Sequence, residues 1–304
     1  PISVSASLDF SHADSLCLQK VYLPSGVDET NYYMNYDKWT FGGGVSVGKR
    51  WTPNFAILTL SGGLNTSFVR NSYDADLYTP VSSVIAENHG KFGIANTLWT
   101  SFSLDDRDIY YDPSKGWFAS QRFSLVGLIP EKESEYYLRS DTKGELYFTL
   151  FQRQISETWT LKFVLAGYSG LSFVFPTFSD KIEDDGYLYI DGMFNGRGWG
   201  NLETYQNRGN AMWSSHLELR MPIATGVFAL DFFGDAVAVK ENPKDLFTNL
   251  TLDDFYFSFG PGMRFSLPQF PLRLLLANTF KFEDNNFEWD KKWQFVLSFN
   301  LSNR

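Results

Sequence analysis

The 304-residue sequence predicts an all-β fold, an antiparallel transmembrane β-barrel, and three observations carry that prediction. Period-two alternation of apolar and polar residues runs from end to end, with no helical periodicity. The gaps between alternating runs are by turns short and long, the loop asymmetry of outer-membrane barrels. Aromatic residues make up 18% of the chain, with 29 Phe, 16 Tyr and 9 Trp, against 20% charged residues. A soluble β-sandwich alternates too, but its polar face meets solvent over a core about 10 Å thick, and it seldom carries twelve long strands.

The elements follow in order. Ile2, Val4, Ala6, Leu8 and Phe10 alternate with Ser3, Ser5, Ser7 and Asp9. A polar gap, roughly 13–37, precedes Phe41, Gly43, Val45 and Val47, and a short turn at 50–54 leads to Leu58, Leu60, Leu64 and Phe68. After a gap at 71–90, Leu98, Phe102 and Leu104 alternate with Trp99, Ser101, Ser103 and Asp105. The turn Asp112-Pro113-Ser114-Lys115-Gly116 enters a strand at 117–128. The strand at 137–151 sets Leu146, Phe148 and Leu150 against Arg139, Asp141, Lys143 and Glu145. Trp159, Leu161, Phe163 and Leu165 mark the next, which feeds the long gap 174–208. Five strands follow, at 211–221, 226–239, 255–267, 271–282 and 292–302, with a further long gap expected at 283–291. Twelve strands result.

In a barrel the apolar parity faces lipid, and closure removes sheet edges that hydrocarbon would not tolerate. The other parity lines a hydrated lumen: Arg139, Asp141, Lys143, Glu145, Glu218, Arg220, Asp231 and Asp235. No run approaches the roughly eighteen apolar residues of a membrane-spanning helix. The net charge of −9 argues against nucleic acid as a partner. Cys17 is the single cysteine, and His12, His89 and His216 are scattered, so neither a disulfide nor a metal or cofactor site is expected. Pro1 reads as a cut or processed end of a longer chain.

One stretch stands apart. Phe194-Asn195-Gly196-Arg197-Gly198-Trp199-Gly200 packs three glycines, an arginine and two aromatics into a loop tip. Its glycines free the backbone to turn back, and a guanidinium there could grip carboxylates through a planar fork of donors. If the hairpin between 211–221 and 226–239 turns at Ala224-Thr225, Glu218 lies directly across from Asp231, with Asp235 further along the same face.

The chain resembles the outer-membrane protein insertase family, the BamA type. In that family a long loop before the fifth strand from the end carries a VRGF or VRGY motif and folds into the barrel. Gly196, Arg197, Gly198 and Trp199 stand in its place, with Gly for the usual Val and Trp for the final aromatic. Tyr110-Tyr111-Asp112-Pro113-Ser114-Lys115-Gly116-Trp117-Phe118 is similar to a periplasmic turn of the family. Gly209-Asn210-Ala211-Met212 with Leu217-Glu218-Leu219 is similar to the strand after the loop. The resemblance implies that Arg197 pairs inside the lumen with Glu218 and Asp235, Asp231 being the alternative partner.

It further implies the C-terminal portion of a sixteen-stranded barrel, residues 1–304, whose first four strands and periplasmic POTRA repeats are absent here. The function implied is insertion of nascent β-barrel proteins into the outer membrane of a diderm bacterium, with no enzymatic chemistry and no cofactor. The last strand, with Trp293, Phe295, Leu297, Phe299 and Leu301, would form one side of a lateral gate that templates substrate strands by main-chain pairing. Expected partners are nascent outer-membrane proteins, periplasmic or lipoprotein accessory subunits, and outer-membrane lipid. A porin-like channel and a relative serving two-partner secretion or autotransporter assembly stay open as alternatives.

Overall fold

The computed structural model describes residues 2–19, 33–128, 135–157, 159–177, 186–200, 202, 207–224, 226–267, 270–284 and 286–298. Its strands are β1 (Ile2–Leu18), β2 (Tyr33–Trp51), β3 (Ile57–Ser72), β4 (Gly93–Asp105), β5 (Gly116–Val126), β6 (Tyr137–Gln154) and β7 (Thr160–Pro176). After the two short strands β8 (Leu188–Tyr189) and β9 (Arg208–Gly209) come β10 (Ala211–Ala224), β11 (Phe228–Lys240), β12 (Phe255–Leu267), β13 (Phe270–Glu283) and β14 (Asn286–Ser298). Twelve strands form one antiparallel sheet in chain order, with β10 beside β7; β8 and β9 pair separately inside the long loop. Among the described residues β1 and β14 are not paired with each other.

Burial is inverted relative to a water-soluble protein, and this places the two faces. Buried positions on β10 to β13 include Ser214, His216, Glu218, Arg220, Asp231, Asp235, Ser258, Arg264, Arg273 and Thr279. The intervening residues Leu217, Leu219, Leu230, Phe232, Met263 and Leu276 are exposed. Charge inside and hydrocarbon outside is the arrangement a lipid-embedded barrel requires. No helix among the described residues is long and apolar enough to cross a membrane.

Three expectations are corrected. The gap expected at 13–37 is narrower, because β1 runs on to Leu18 and β2 begins at Tyr33. The long gap expected at 283–291 is a tight turn instead, with Asp284 in the left-handed region (φ 49°) and β14 starting at Asn286. Its polar residues belong to the ladder, where Lys281 pairs with Glu288. Phe287 and Trp289 keep the alternation, but the polar run Asp290-Lys291-Lys292, where the β13–β14 ladder breaks, separates them from the apolar stripe that resumes at Trp293. Finally, the β10–β11 hairpin closes more widely than expected, with Ala224 paired to Phe228, and an irregularity between Pro222 and Ala224 takes back one residue, leaving the pairing two residues from the expected register. Glu218 therefore lies across from Phe233, Arg220 from Asp231, and His216 from Asp235. The loops carry short helical elements at α1 (Ser83–Glu87), α2 (Asp245–Thr248) and a 3-10 turn, Leu252–Asp254.

The turn between β4 and β5 is organised by Asp108. Its Oδ1 accepts the backbone N–H of Ser114 at 2.8 Å and of Lys115 at 3.2 Å, while Ser114 Oγ donates to Oδ2 at 2.6 Å. Gly226 N donates to Asp112 Oδ2 at 3.3 Å, joining this turn to the β10–β11 turn at the same end of the sheet. Partial burial pushes the Asp108 carboxyl upward, but these hydrogen bonds outweigh it and hold the group below the ordinary Asp value. A depressed carboxylate pKa contributes stability that is present above the unfolded value, about 3.9, and lost as pH falls through the folded value. Amide exchange at Ser114 and Lys115 should therefore show protection at pH 6 that collapses below about pH 4. Asp108→Asn should remove it at both pH values; retained protection in that variant would refute the role.

Candidate functional site

The long loop carries its own apolar residues into the lumen. Leu188 and Ile190 pack with Tyr137, Val174, Met212 and Val237, and Trp199 and Leu202 lie against this cluster. Trp199 Nε1 donates to the Phe257 carbonyl at 3.0 Å, and its ring meets Tyr256 edge-on at 5.0 Å. Asp191 organises the turn from within: its Oδ1 accepts the backbone N–H groups of Met193, Phe194 and Asn195 at 2.8, 2.6 and 2.9 Å. Gly198 N then donates to the Gly192 carbonyl at 2.9 Å.

Two glycines set the shape of the tip. Gly196 has φ 70° and Gly198 has φ 93°, a region that a β-branched residue enters only under strain. The resembled family's Val would be strained at Gly196, so the glycine suits this backbone. A Cβ on Gly198 would sit 2.7 Å from Ala277 Cβ on β13. Gly198→Ala combines strain with overlap, at a cost of about 1–3 kcal/mol. It should partly release the loop, read as faster protease cleavage within 186–200; wild-type cleavage rates would show that the close approach does not matter.

Between these glycines Arg197 is 3% exposed. Its Nε and Nη2 donate to Asp235 Oδ2 and Oδ1 at 2.7 and 2.5 Å, and its Nη1 donates to Glu218 Oε1 at 2.7 Å. The backbone N–H of Arg197 adds a longer bond to Asp235 Oδ2 at 3.3 Å, and the guanidinium lies over the Phe233 ring at 4.2 Å. His216 Nδ1 is 2.9 Å from Asp235 Oδ1. A planar, permanently charged fork can satisfy two carboxylates at once, as this geometry requires.

Glu218 is the hub. Besides Arg197 it accepts from Arg220 Nε and Nη2 at 2.9 and 2.8 Å, from Arg264 Nη2 at 2.6 Å, and from Arg273 Nη2. Asp231, expected as an alternative partner of Arg197, is instead engaged by Arg264 Nε at 3.1 Å, with Arg273 Nη2 at 3.9 Å. The two-residue register shift explains this correction, since it sets Asp231 opposite Arg220 and carries it away from the loop tip. Arg264 and Arg273 face each other across the β12–β13 ladder, so their like charges need an acid between them.

A second ionic group continues toward the short-turn end. Arg220 lies over the Tyr147 ring at 5.3 Å, and Tyr147 donates its hydroxyl to Glu145 Oε2 at 2.8 Å. Arg107 Nη1 reaches the same oxygen at 2.9 Å while its Nε and Nη2 hold Asp105. Arg139 and Asp141 pair with each other at 3.0 Å, half-buried. On the last strand Trp293, Phe295 and Leu297 are exposed on the lipid side; Phe299 and Leu301 lie outside the described residues.

With this geometry in hand, the comparison with known proteins is decisive: the Omp85 superfamily domain matches residues 1–301. The chain belongs to the Omp85 superfamily. A protein of Treponema pallidum (strain Nichols) described as "Putative outer membrane protein assembly factor" is 37% identical over 298 residues, covering 90% of this chain. This Omp85 chain spans 35% of that relative's length. Among solved structures, the crystal structure of BamA from Haemophilus ducreyi lacking POTRA domains 1–3 is similar in fold. The TM-score is 0.60 at 18% identity, over 98% of this chain and 59% of that one. An Omp85 barrel of this kind places the chain in the outer membrane of a diderm bacterium.

Arg264, Arg273, Phe233 and Asp191 were not among the candidates drawn from sequence. Arg264 and Arg273 did carry a signal, each being an arginine on the wet parity of an otherwise apolar strand. Phe233 also stood out, as an aromatic between two lumenal acids. Asp191 had none beyond its place before a Gly-rich turn.

Proposed function

We propose that this Omp85 barrel acts in assembling other β-barrel proteins into the outer membrane, as the gate-bearing part of the insertase. The observation that supports this most directly is the inward loop tip, whose Arg197 is held by Asp235 and Glu218 on the lumenal wall. A plugged lumen suits a barrel that works at its seam, whereas a porin-like channel needs an open bore. Work at the seam consists of main-chain pairing between β14 and an incoming strand, a form of strand addition. No bond is made or broken in the substrate. Periplasmic domains and lipoprotein subunits would deliver the substrate, and the surrounding lipid would receive it.

The test is depletion of the full-length parent protein in its own cell, followed by quantification of unrelated outer-membrane barrels. Their levels should fall while their unfolded precursors accumulate in the periplasm. Normal levels of all of them would exclude the insertase reading. Loss of a single secreted protein alone would indicate a dedicated secretion role.

A further inference from the structure

One polar residue sits where hydrocarbon should be. On β13 the outward stripe contains Leu274, Leu276, Phe280 and Phe282, and Asn278 interrupts it at 0% exposure. A carboxamide facing an apolar surround is costly unless both of its ends are hydrogen-bonded. Strand β14 supplies the partners: Trp289 Nε1 donates to Asn278 Oδ1, and Asn278 Nδ2 donates to the Lys292 carbonyl at 3.4 Å. Phe259, the cross-strand partner of Asn278 on β12, meets Trp293 edge-on at 6.0 Å.

These contacts straddle a break in the β13–β14 ladder. Pairs run from Glu283–Asn286 to Thr279–Asp290, then resume from Ala277–Gln294 to Arg273–Ser298. Between them β13 contributes one residue, Asn278, and β14 contributes three, Lys291 to Trp293. Inside the bulge Lys292 N donates to Asp290 Oδ1 at 3.0 Å. On the lumenal side of the same strand, Ala277 and Thr279 are the residues nearest the loop tip: a Cβ on Gly198 would lie 2.7 and 3.2 Å from their side chains. Bulge and loop tip therefore lie back to back across β13.

We propose that Asn278 is a positioning residue of the gate, fixing a β-bulge that divides the last strand into two ladders offset by two residues. A bulge on an edge strand terminates regular pairing. An incoming strand that zips along residues 294–298 would lose register at the bulge, so its hold on the gate stays short enough to release. This rests on the insertase reading for its role in release; the bulge itself does not.

The experiment uses the full-length parent protein in its own outer membrane, in a Cys17→Ser background. The pairs Lys281→Cys with Glu288→Cys and Leu276→Cys with Phe295→Cys report the two ladders, which coexist only across a bulge, whereas Lys281→Cys with Asp290→Cys and Leu276→Cys with Trp293→Cys report the two straight registers. Unaltered Asn278 should give both the 281–288 and the 276–295 crosslinks, and Asn278→Leu should lose one of them and gain the 281–290 or the 276–293 crosslink. Asn278→Leu combined with deletion of Lys291 and Lys292 gives a continuous ladder that keeps strand parity, and so guards against misfolding of the single variant. In it, substrate barrels should remain associated with the gate and mature more slowly. Persistence of both the 281–288 and the 276–295 crosslinks in Asn278→Leu would overturn the latch. Wild-type maturation in the straightened variant would overturn the role in release. The crosslink result is independent of the depletion experiment, so failure of the insertase reading is distinguishable from failure of the bulge.

Discussion

Arg197→Met should unlock the loop while leaving the wall of the barrel standing. The change keeps the bulk of the side chain but removes the donors that reach Asp235 and Glu218. Stranding part of a buried ion cluster costs about 3–5 kcal/mol, and here the loop can escape that cost by moving out. Protease sites within 186–200 should become cleavable from outside the cell, and, on the function proposed above, assembly of substrate barrels should fall. Arg197→Lys should behave almost as badly, because a point charge cannot bridge two carboxylates that a planar fork holds together. A full charge swap, Arg197→Glu with Asp235→Arg, is expected to rescue only in part. The new glutamate would face Glu218, which sits 2.7 Å from the present guanidinium. A loop that stays protected in Arg197→Met would show that the apolar contacts of Leu188, Ile190 and Trp199 hold it unaided.

Glu218→Gln should be more damaging still, and to the barrel itself. The carboxylate is fully buried and accepts from Arg197, Arg220, Arg264 and Arg273. Neutralising it leaves those four guanidiniums with Asp231 and Asp235 as the remaining acids of the cluster. The loss should exceed the 3–5 kcal/mol or so expected for breaking one buried pair. The temperature at which the folded barrel changes mobility on a gel should drop well below that of wild type. Removing one surplus charge should then help: Glu218→Gln with Arg273→Met should be more stable than Glu218→Gln alone, a coupling that a double-mutant cycle measures. An unchanged transition in Glu218→Gln would mean that solvent in the lumen screens the arginines and that Glu218 is no hub.

Much of this architecture was legible before any coordinates. Period-two alternation is a direct consequence of strand geometry, so Phe255, Phe257 and Phe259 against Tyr256 and Ser258 reveal a two-faced strand on sight. The same rule put Glu218, Asp231 and Asp235 on the wet face together with His216 and Arg220. It failed where the ladder breaks. Phe287 and Trp289 alternate with Asn286, Glu288 and Asp290 for too short a run, and Lys291 and Lys292 at the bulge cut them off from the stripe that begins at Trp293. It also failed on register, because the wider closure at Ala224–Phe228 and the irregularity at Pro222–Ala224 together set every pair from Ala211 to Pro222 two residues away from the expected register and leave parity untouched. Parity is a local property; register accumulates every turn and bulge between two residues.

The sequence by itself determined the strands, their two faces, and an arginine on a glycine-rich tip in the longest gap of the C-terminal half. Tertiary structure alone decided the partners. Glu218 lies on β10, whereas Arg264 and Arg273 lie on β12 and β13, and only a sheet curved about the lumen brings side chains from those strands to one carboxylate. In the same way Asp231 was taken from Arg197 and given to Arg264 by register, and Asn278 found its partners through a bulge on β14. Side-chain alternation costs nothing to read because it repeats every two residues, but charge pairing across a barrel depends on curvature and stagger, which no single strand contains.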